Sequence, residues 1–398
     1  MKARARKSLA ASSGKPKTGR AAGKPFAKTS SRSGLAGKRG ARGARKRPGG
    51  LRAAKRRDGS RRTHAAGSVR RRKPPKRSAL LAGLWKEGRD DGADWRAGHP
   101  EAADVAMNEA VRKTWMQKLQ EHANLPKLDG KAIWERAKAY AEGFAAGAGM
   151  APSRVPLPLS RSAGAVVYAN ANPDALRSVL KELARLPLAE IVVVLGSPSE
   201  RLLEAARSGG TATIACLPED VHPDIGRALG AKLTDADLLL IADGEQKAEA
   251  SELARLLWAV DGRLDVALND RSAFLGLFHK RSDVERFHEF LNVTLNRPDL
   301  QMNTMAALPL AMTRKALETL GAAELSVPVK AHAKALQRGL AVGTAAAVDW
   351  RPPAMPNRDR IARGDHLEAW KMAFAEAGFR LRFPDKARNR KAAKGAVG

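Results

Sequence analysis

Short apolar runs alternate with amphipathic helical patterns between residues 164 and 268, and this alternation constrains the fold most strongly. The predicted strands cover residues 165–169, 190–195, 211–217, 237–242 and 265–268. The predicted helices between them cover residues 173–186, 199–208, 225–233 and 247–260. A rhythm of strand, crossover helix and strand predicts a largely parallel sheet with helices on both faces. The expected fold class is therefore α/β, with a mostly parallel sheet flanked by helices.

The segments on either side of this region have different patterns. Residues 78–150 carry aromatic and apolar residues at helical spacing, which predicts helices over 102–122 and 131–144. After residue 270 the pattern is mainly helical, with helices predicted over 283–295, 314–320, 329–340 and 364–377. We expect five parts after residue 77: a helical segment at 78–150, a proline-rich linker at 151–160, an α/β domain at 161–350, a C-terminal helical extension at 351–380, and a basic, disordered terminus at 381–398.

Positive charge is concentrated at the amino terminus. Of the 72 Lys and Arg and 41 Asp and Glu that give a net charge of +31, residues 1–77 hold 28 basic residues and one acid, Asp58. Residues 78–398 are nearly balanced, with 44 basic and 40 acidic residues. The tail is rich in Gly, Ser, Ala and Pro and has one aromatic residue, Phe26. Because such a segment buries too little apolar surface to offset chain entropy, we expect residues 1–77 to be disordered.

A polybasic tail attracts polyanions, and salt should weaken that attraction. The expected partners are nucleic acid, an anionic polymer or an anionic membrane surface; the alternative is a solvated tail that only promotes solubility. No apolar stretch of about 18 residues is present, so no transmembrane segment is expected. The single cysteine, Cys216, lies in an apolar run and is expected to be a buried, inert thiol. We expect a cytoplasmic protein, with attachment to the membrane periphery as an alternative.

Two acidic residues, one residue apart, follow the apolar run of the strand predicted over 237–242. Asp243 and Glu245 flank Gly244, which allows the backbone to turn sharply between them. Ligands of open α/β sheets collect beyond the carboxyl ends of the strands. Two carboxylates at that edge can hold Mg²⁺ or Mn²⁺, which in turn holds phosphate oxygens. The alternative is a strand that simply ends in an acidic turn.

Several familiar site motifs are absent from the sequence. No Gly-x-Gly-x-x-Gly follows the first strand, and no Gly-x-x-x-x-Gly-Lys-Ser/Thr loop is present. No Gly-x-Ser-x-Gly turn occurs, and the eight histidines do not pair with cysteines. These absences disfavour a dinucleotide-dependent enzyme, a P-loop nucleotidase, a serine hydrolase and a zinc protein.

The order of the remaining motifs resembles the family 2 glycosyltransferases, which have the GT-A fold. The likeness covers roughly residues 160–378 and comprises an Asn-containing turn, a short polar turn, a Gly-containing basic segment and an acidic pair. These lie at residues 170–173, 196–197, 222–231 and 243–245. Residues 265–269, 297–300, 308–317 and 364–369 resemble later segments of a bacterial branch.

The resemblance implies transfer of a sugar, with inversion, from a nucleotide-sugar donor to an unknown acceptor. It implies a divalent metal cofactor, Mn²⁺ or Mg²⁺, with Asp243 and Glu245 as ligands and His366 as a further candidate ligand. The donor-binding residues that it implies are Asn172, Gly196, Ser197, Gly226, Arg227 and Asp243. His222 either holds the turn before Gly226 or reaches phosphate.

The sequence departs from the family pattern at the expected catalytic base. An apolar pair, Val327-Pro328, stands where a Glu-Asp pair is usual. Glu324 and Asp365 are substitute candidates for this base, although Asp365 is also placed to cap a helix. Glu368 is a weaker candidate that suits a solvated helix face. The acidic residue usual after the second strand is also replaced, by Gly196 and its neighbours.

These departures leave two alternatives to an active transferase. One is a catalytically degenerate GT-A domain that binds a nucleotide or a polyanion. The other is a nucleic-acid-associated protein in which the tail is the functional part and the body is a scaffold.

Overall fold

The computed structural model describes residues 78–120, 128–152, 154–210, 212–219, 221–352 and 354–381. The polybasic tail at 1–77 and the basic terminus from residue 382 lie outside this part of the chain, as do the last residues of the helix predicted over 102–122.

Helices and strands alternate through the middle of the chain, as the pattern predicts. The helices are α1 (Ala79–Gly98), α2 (Asp104–Gln120), α3 (Gly130–Ala148), α4 (Pro173–Leu183), α5 (Glu200–Arg207), α6 (Pro223–Leu233), α7 (Ala250–Gly262), α8 (Asp283–Thr294), α9 (Arg314–Leu320), α10 (Pro328–Gln337) and α11 (Arg358–Ala377). The strands are β1 (Ala163–Ala169), β2 (Glu190–Gly196), β3 (Thr213–Leu217), β4 (Leu238–Asp243), β5 (Val266–Asn269), β6 (Leu310–Thr313) and β7 (Val342–Ala346). Short 3₁₀ helices cover Ser272–Phe274, Phe278–Lys280, Pro298–Leu300 and Ala322–Ser326.

The strands form one seven-stranded sheet in the order β3-β2-β1-β4-β6-β5-β7. Only β6 is antiparallel to its neighbours, β4 and β5; the other pairings are parallel. The carboxyl ends of β1, β2, β3, β4, β5 and β7 therefore meet at one edge of the sheet. This arrangement confirms the α/β class with a mostly parallel sheet, while β6 and β7 are strands that the sequence did not predict.

The sheet is covered on both faces, which explains the continuous apolar runs of its central strands. β1 and β4 are buried along their whole length. Val167 and Leu240 belong to the core under α3, α4 and α7. Val166 and Ile241 belong to the core under α6, α9 and α10. Alternate residues of each strand thus serve opposite cores.

Cys216 is exposed, so the expectation of a buried thiol is wrong. It lies on β3, the first strand in the sheet order, which has a neighbouring strand on one side only. The residues of β3 are exposed or half-buried, unlike those of the central strands. An apolar run alone does not distinguish an edge strand from a central one.

Helix α11 begins at Arg358 rather than at residue 364. Gly364 lies inside this helix with open space around it, so it does not mark a helix boundary. Asp365 is therefore an interior helical residue, and the alternative that it caps the helix start is wrong.

Helices α1 and α3 pack so closely that their backbones touch at glycines. A Cβ atom added at Gly88 would overlap the carbonyl oxygen of Tyr140, and one at Gly143 would overlap that of Trp85. The buried Tyr140 hydroxyl donates a hydrogen bond to Asp91 Oδ2 at 2.6 Å, which links the same two helices. The helical pattern at 78–150 thus forms a glycine-dependent helix pair.

Alanine in place of Gly88 should destabilise the fold by about 2 kcal/mol, because α1 would have to move away from α3. Gly83→Ala is the matched control in the same helix, where an added Cβ meets nothing within 4 Å. This control should be neutral or stabilising by up to about 1 kcal/mol, since alanine favours helices. Urea unfolding of both variants measures the difference. Equal midpoints would show that the glycine contact does not limit the approach of the helices.

Candidate functional site

A cavity of about 660 Å³ opens at the carboxyl edge of the sheet. Its wall is formed by the starts of α6, α8 and α10, the segments after β5 and β7, the segment before β6 and one face of α11. The charged and histidine residues that line it are His222, Asp224, Arg227, Arg271, Lys280, Glu285, His288, Asp349, Arg351, Arg358 and Asp365. Ligand sites of open α/β sheets form at this edge.

Arg227 lines the cavity and is buried between two carboxylates. Its Nη1 donates a hydrogen bond to Asp224 Oδ1, and its Nη2 lies 4.0 Å from Asp243 Oδ2. Its Nε is buried and has no partner among the described residues. Trp350, which follows β7, donates its Nε1–H to Asp243 Oδ2 at 2.6 Å. The predicted donor-binding pair of Arg227 and Asp243 is thus in contact, and Trp350 is a neighbour that the sequence did not indicate.

Glu245 closes the turn between β1 and α4. Its Oε1 accepts hydrogen bonds from the backbone N–H groups of Asn170 at 3.1 Å, Ala171 at 3.0 Å and Asn172 at 3.4 Å. The Asn172 side chain in turn caps α4 by accepting from Asp174 N and Ala175 N. Neither Glu245 nor Asn172 lines the cavity. Both therefore stabilise the edge of the sheet from outside the cavity.

β2 ends at Gly196, and Ser197 follows it. Ser197 has a φ of 43°, an unusual backbone conformation for a residue other than glycine, and its N–H donates to Leu217 O at 3.0 Å. Neither residue lines the cavity. These two donor-binding candidates thus lie at the predicted edge but not in the cavity.

Gly226 lies within α6, in the Gly-containing basic segment from which the resemblance implies donor binding. Its N–H donates to His222 O at 3.4 Å, and an added Cβ would overlap the ring of Tyr168. The glycine thus allows α6 to pack against β1, and its N–H is not free for phosphate. His222 is the N-cap of α6, where its Nδ1 accepts from Asp224 N at 3.4 Å, and it also lines the cavity.

Of the three candidate bases, only Asp365 lines the cavity. Burial raises its pKa to about 6, and the negative charges of Asp224 and Glu368 act in the same direction. Glu324 is instead paired with lysines, Lys330 at 3.4 Å and Lys334 at 3.6 Å. Glu368 is exposed and pairs with Lys330 at 2.7 Å, as expected for a solvated helix face.

His366 is fully buried and belongs to a group of histidines. Its Nδ1 donates to Ala362 O at 2.6 Å, and its Nε2 lies 3.1 Å from His288 Nδ1. His332 lies nearby, with its Nε2 2.7 Å from Asn292 Oδ1. Burial lowers the pKa of all three histidines, that of His332 to about 3. None of the hydrogen bonds of His366 reaches Asp243 or Glu245.

The proposed metal ligands do not form a ready site for a divalent ion. Within the described ranges, no three His, Cys, Asp or Glu side chains group in a way that could hold a metal. Glu245 Oε1 is saturated by backbone N–H groups, and Asp243 Oδ2 faces Trp350 and the cationic Arg227. The donor set of Asp243, Glu245 and His366 therefore does not fit a metal held by these side chains alone.

Comparisons with known proteins found similarity in structure only. No family model and no curated protein sequence matches the chain. Glucosyl-3-phosphoglycerate synthase from Mycobacterium tuberculosis, in complex with Mn²⁺, uridine diphosphate and glucosyl-3-phosphoglycerate, is similar at 15% identity and a TM-score of 0.40, over 57% of this chain and 82% of that chain. The same enzyme in complex with uridine diphosphate is similar at 14% identity and a TM-score of 0.42, over 57% of this chain and 82% of that chain. A mycobacterial protein is similar at 16% identity and a TM-score of 0.39, over 57% of this chain and 77% of that chain. Values at this level assign no ligand, residue role or activity to this chain.

Among the described residues, no helix is both long enough and apolar enough to cross a membrane.

Proposed function

We propose that the chain transfers a sugar from a nucleotide-sugar donor to an acceptor hydroxyl. The observation that carries this proposal is one cavity that contains both a buried arginine, Arg227, and a half-buried carboxyl, Asp365. Such a transfer needs positive charge beside the leaving diphosphate and a base beside the acceptor hydroxyl. The ordered motifs that resemble family 2 glycosyltransferases point to the same reaction.

Arg227 is suited to the donor phosphates. Asp224 and Asp243 fix its guanidinium, and its Nε–H has no partner among the described residues. A buried N–H without a partner is costly, and a phosphate oxygen in the cavity would remove that cost. Because the guanidinium is already held in place, little side-chain entropy is lost when phosphate binds.

Asp365 is suited to accept the acceptor proton. In the proposed step, the acceptor oxygen bonds to the anomeric carbon while the bond from that carbon to the diphosphate oxygen breaks. The hydroxyl proton moves to the Asp365 carboxylate, and the nucleoside diphosphate leaves with the electron pair. A single displacement of this kind inverts the anomeric configuration. A carboxyl with a pKa of about 6 is still ionised at pH 7 and is a stronger base than an ordinary aspartate.

The second candidate function is a binding protein that has lost catalysis. The use of Glu245 to close a turn, and the poor fit of the metal donor set, favour it. A divalent cofactor therefore stays a prediction from the resemblance, as do the limits of the domain at 161–350 and the binding of polyanions by residues 1–77.

Thermal stability of the full chain against nucleotide-sugars and nucleoside diphosphates, with and without Mn²⁺, tests the proposal. A ligand at 100 times its dissociation constant should stabilise the fold by roughly 2.7 kcal/mol. Transfer to added acceptors is then followed by release of nucleoside diphosphate. Binding without turnover over a broad acceptor panel would favour the binding protein, and no binding of any nucleotide-sugar or nucleoside diphosphate would reject the transferase.

Asparagine in place of Asp365 should lower the transfer rate by about 100-fold or more, while donor binding is retained, because asparagine cannot accept the proton. The wild-type rate should increase as the pH is raised through about 6, where Asp365 ionises. The matched control is Glu368→Gln, on the exposed side of the same helix. Equal loss in both variants, or a rate independent of pH from 5 to 7, would remove Asp365 from the catalytic role.

A further inference from the structure

Arg271 lies in the cavity with no strong partner. Its side chain is 16% exposed, and its Nε is buried without a hydrogen bond among the described residues. The nearest acid, Glu285, has Oε1 4.0 Å from Nη2, beyond hydrogen-bond distance. The other oxygen of Glu285 accepts from the backbone and hydroxyl of Ser282 in the capping box of α8. Glu285 therefore leaves most of the Arg271 guanidinium unsatisfied.

The position of Arg271 is fixed by a buried amide. Asn303, only 2% exposed, accepts the Arg271 N–H through Oδ1 at 2.9 Å. Its Nδ2 donates to Asp270 Oδ1 at 3.2 Å and to Ser272 Oγ at 3.1 Å. Three consecutive residues are thus held by one side chain. The backbone that carries Arg271 is preorganised, as a binding site requires.

Two further cations that line the cavity have no side-chain partner among the described residues. Within the part of the chain that the structure describes, the side chains of Lys280 and Arg358 make no hydrogen bond or ion pair, and both line the cavity. Arg351 is 82% exposed and lies 3.7 Å from Asp349. Burial lowers the pKa of Arg271; the negative charges of Glu285 and Asp349 oppose this, and repulsion from Arg358 and Arg351 adds to it. Cations that repel one another in a cavity favour an anionic ligand between them.

Arg271 and Arg227 lie near the ends of different strands. Arg227 contacts Asp243 at the end of β4, whereas Arg271 follows the end of β5. β4 and β5 run in the same direction with β6 between them, so their ends lie about 10 Å apart. One cavity therefore presents positive charge at two places, which suits two anionic groups.

We propose that Arg271, Arg358 and Lys280 bind an oxyanion, a phosphate or carboxylate, carried by the acceptor. This inference rests on the proposed function, since it assigns the acceptor class of the same site. Arg358 and Asp365 are seven residues apart on α11, two turns along one face of the helix. An acceptor anchored by its anion at Arg358 would extend along this face and present a hydroxyl to Asp365. A neutral acceptor would leave the three cations unsatisfied.

Titration of the full chain with inorganic phosphate, and separately with acetate, at constant ionic strength, tests this site. Binding is followed by calorimetry, and a nucleoside diphosphate is titrated in parallel. Arg271→Gln and Arg358→Gln should each weaken binding of the preferred oxyanion by about tenfold or more, since each removes a charge-assisted contact. Both variants should bind the nucleoside diphosphate as the wild type does. Arg263→Gln removes an exposed arginine outside the cavity and is the matched control.

The outcomes separate this inference from the proposed function. Oxyanion binding that is weaker in Arg271→Gln and Arg358→Gln, but not in Arg263→Gln, supports the site whether or not the nucleoside diphosphate binds. If the nucleoside diphosphate does not bind, only the proposed function is rejected. Equal weakening of nucleoside diphosphate binding would show that these cations hold the donor, and would overturn the assignment to the acceptor. Oxyanion binding that is as strong in all three variants as in the wild type would indicate binding by the polybasic tail and would overturn the site. Melting temperatures of the variants guard against misfolding.

Discussion

Methionine in place of Arg227 should destabilise the fold by about 3 kcal/mol or more and abolish donor binding. The substitution removes the cation between Asp224 and Asp243, whose side chains are only 14% and 7% exposed. Removing one member of a buried ion pair typically costs 3–5 kcal/mol, because the remaining charge has no counterpart. The Trp350 Nε1–H would then be the main remaining side-chain partner of Asp243.

The chain offers a matched control for this prediction. Helix α4 also begins with Pro-Asp, and Arg177 pairs with Asp174 at the same spacing as Arg227 with Asp224. Arg177 is 43% exposed and Asp174 is 91% exposed, so Arg177→Met should cost less than about 1 kcal/mol. Urea unfolding at pH 7 measures both variants, and a donor titration in the absence of urea measures binding. Similar losses of stability in Arg227→Met and Arg177→Met would show that burial does not increase the contribution of Arg227 to stability.

The double variant Arg227→Met with Asp224→Asn separates charge from packing. Asparagine fills the same space as aspartate without the charge, so part of the lost stability should return. Donor binding should not return, because the cation is still missing. Recovery of binding in the double variant would contradict the role of Arg227 at the donor phosphates.

The alternating part of the fold could be predicted because its strands are buried on both faces. β1 and β4 are continuous apolar runs, and the proline at the first position of α4 marks that helix start. β6 and β7 were missed for a physical reason. β6 has four residues, and β7 contains glycine and alanine, which have low strand propensity. Their place in the sheet is set by long-range pairing.

The site was predicted where residues lie at a strand end and missed where distant segments meet. Asp243 and Asp365 could be named from their motifs, and both lie at or beside the cavity. Trp350 reaches Asp243 only because β7 returns to the same edge, so no local pattern indicates it. Arg271 did have a signal, since it follows a strand end. Gly226 allows α6 to pack closely against β1, and Glu245 closes a turn. A sequence motif cannot distinguish these structural roles from ligand binding.

Lowering the pH from 7 to 5 should destabilise the fold by about 2 kcal/mol through His332, and His288 should add to this loss. Both are fully buried, and burial lowers their pKa values, that of His332 to about 3. The unfolded chain therefore takes up protons near pH 6.5 that the folded chain cannot. Stability that these groups provide is present above pH 6.5 and is lost as the pH falls below it. At pH 5 the loss through His332 is roughly 2 kcal/mol, at 1.36 kcal/mol per pH unit below pH 6.5.

Glutamine at position 332 isolates this effect from the carboxylates that also titrate in acid. Its Nε2–H can donate to Asn292 Oδ1 as the imidazole Nε2–H does, and it does not titrate. His332→Gln should therefore be about 2 kcal/mol less sensitive than the wild type to a change from pH 7 to pH 5. His279→Gln, at an exposed histidine, should keep the wild-type sensitivity. Denaturant unfolding of the three proteins at both pH values gives the differences, and parallel pH curves for His332→Gln and the wild type would show that His332 is protonated in the folded chain.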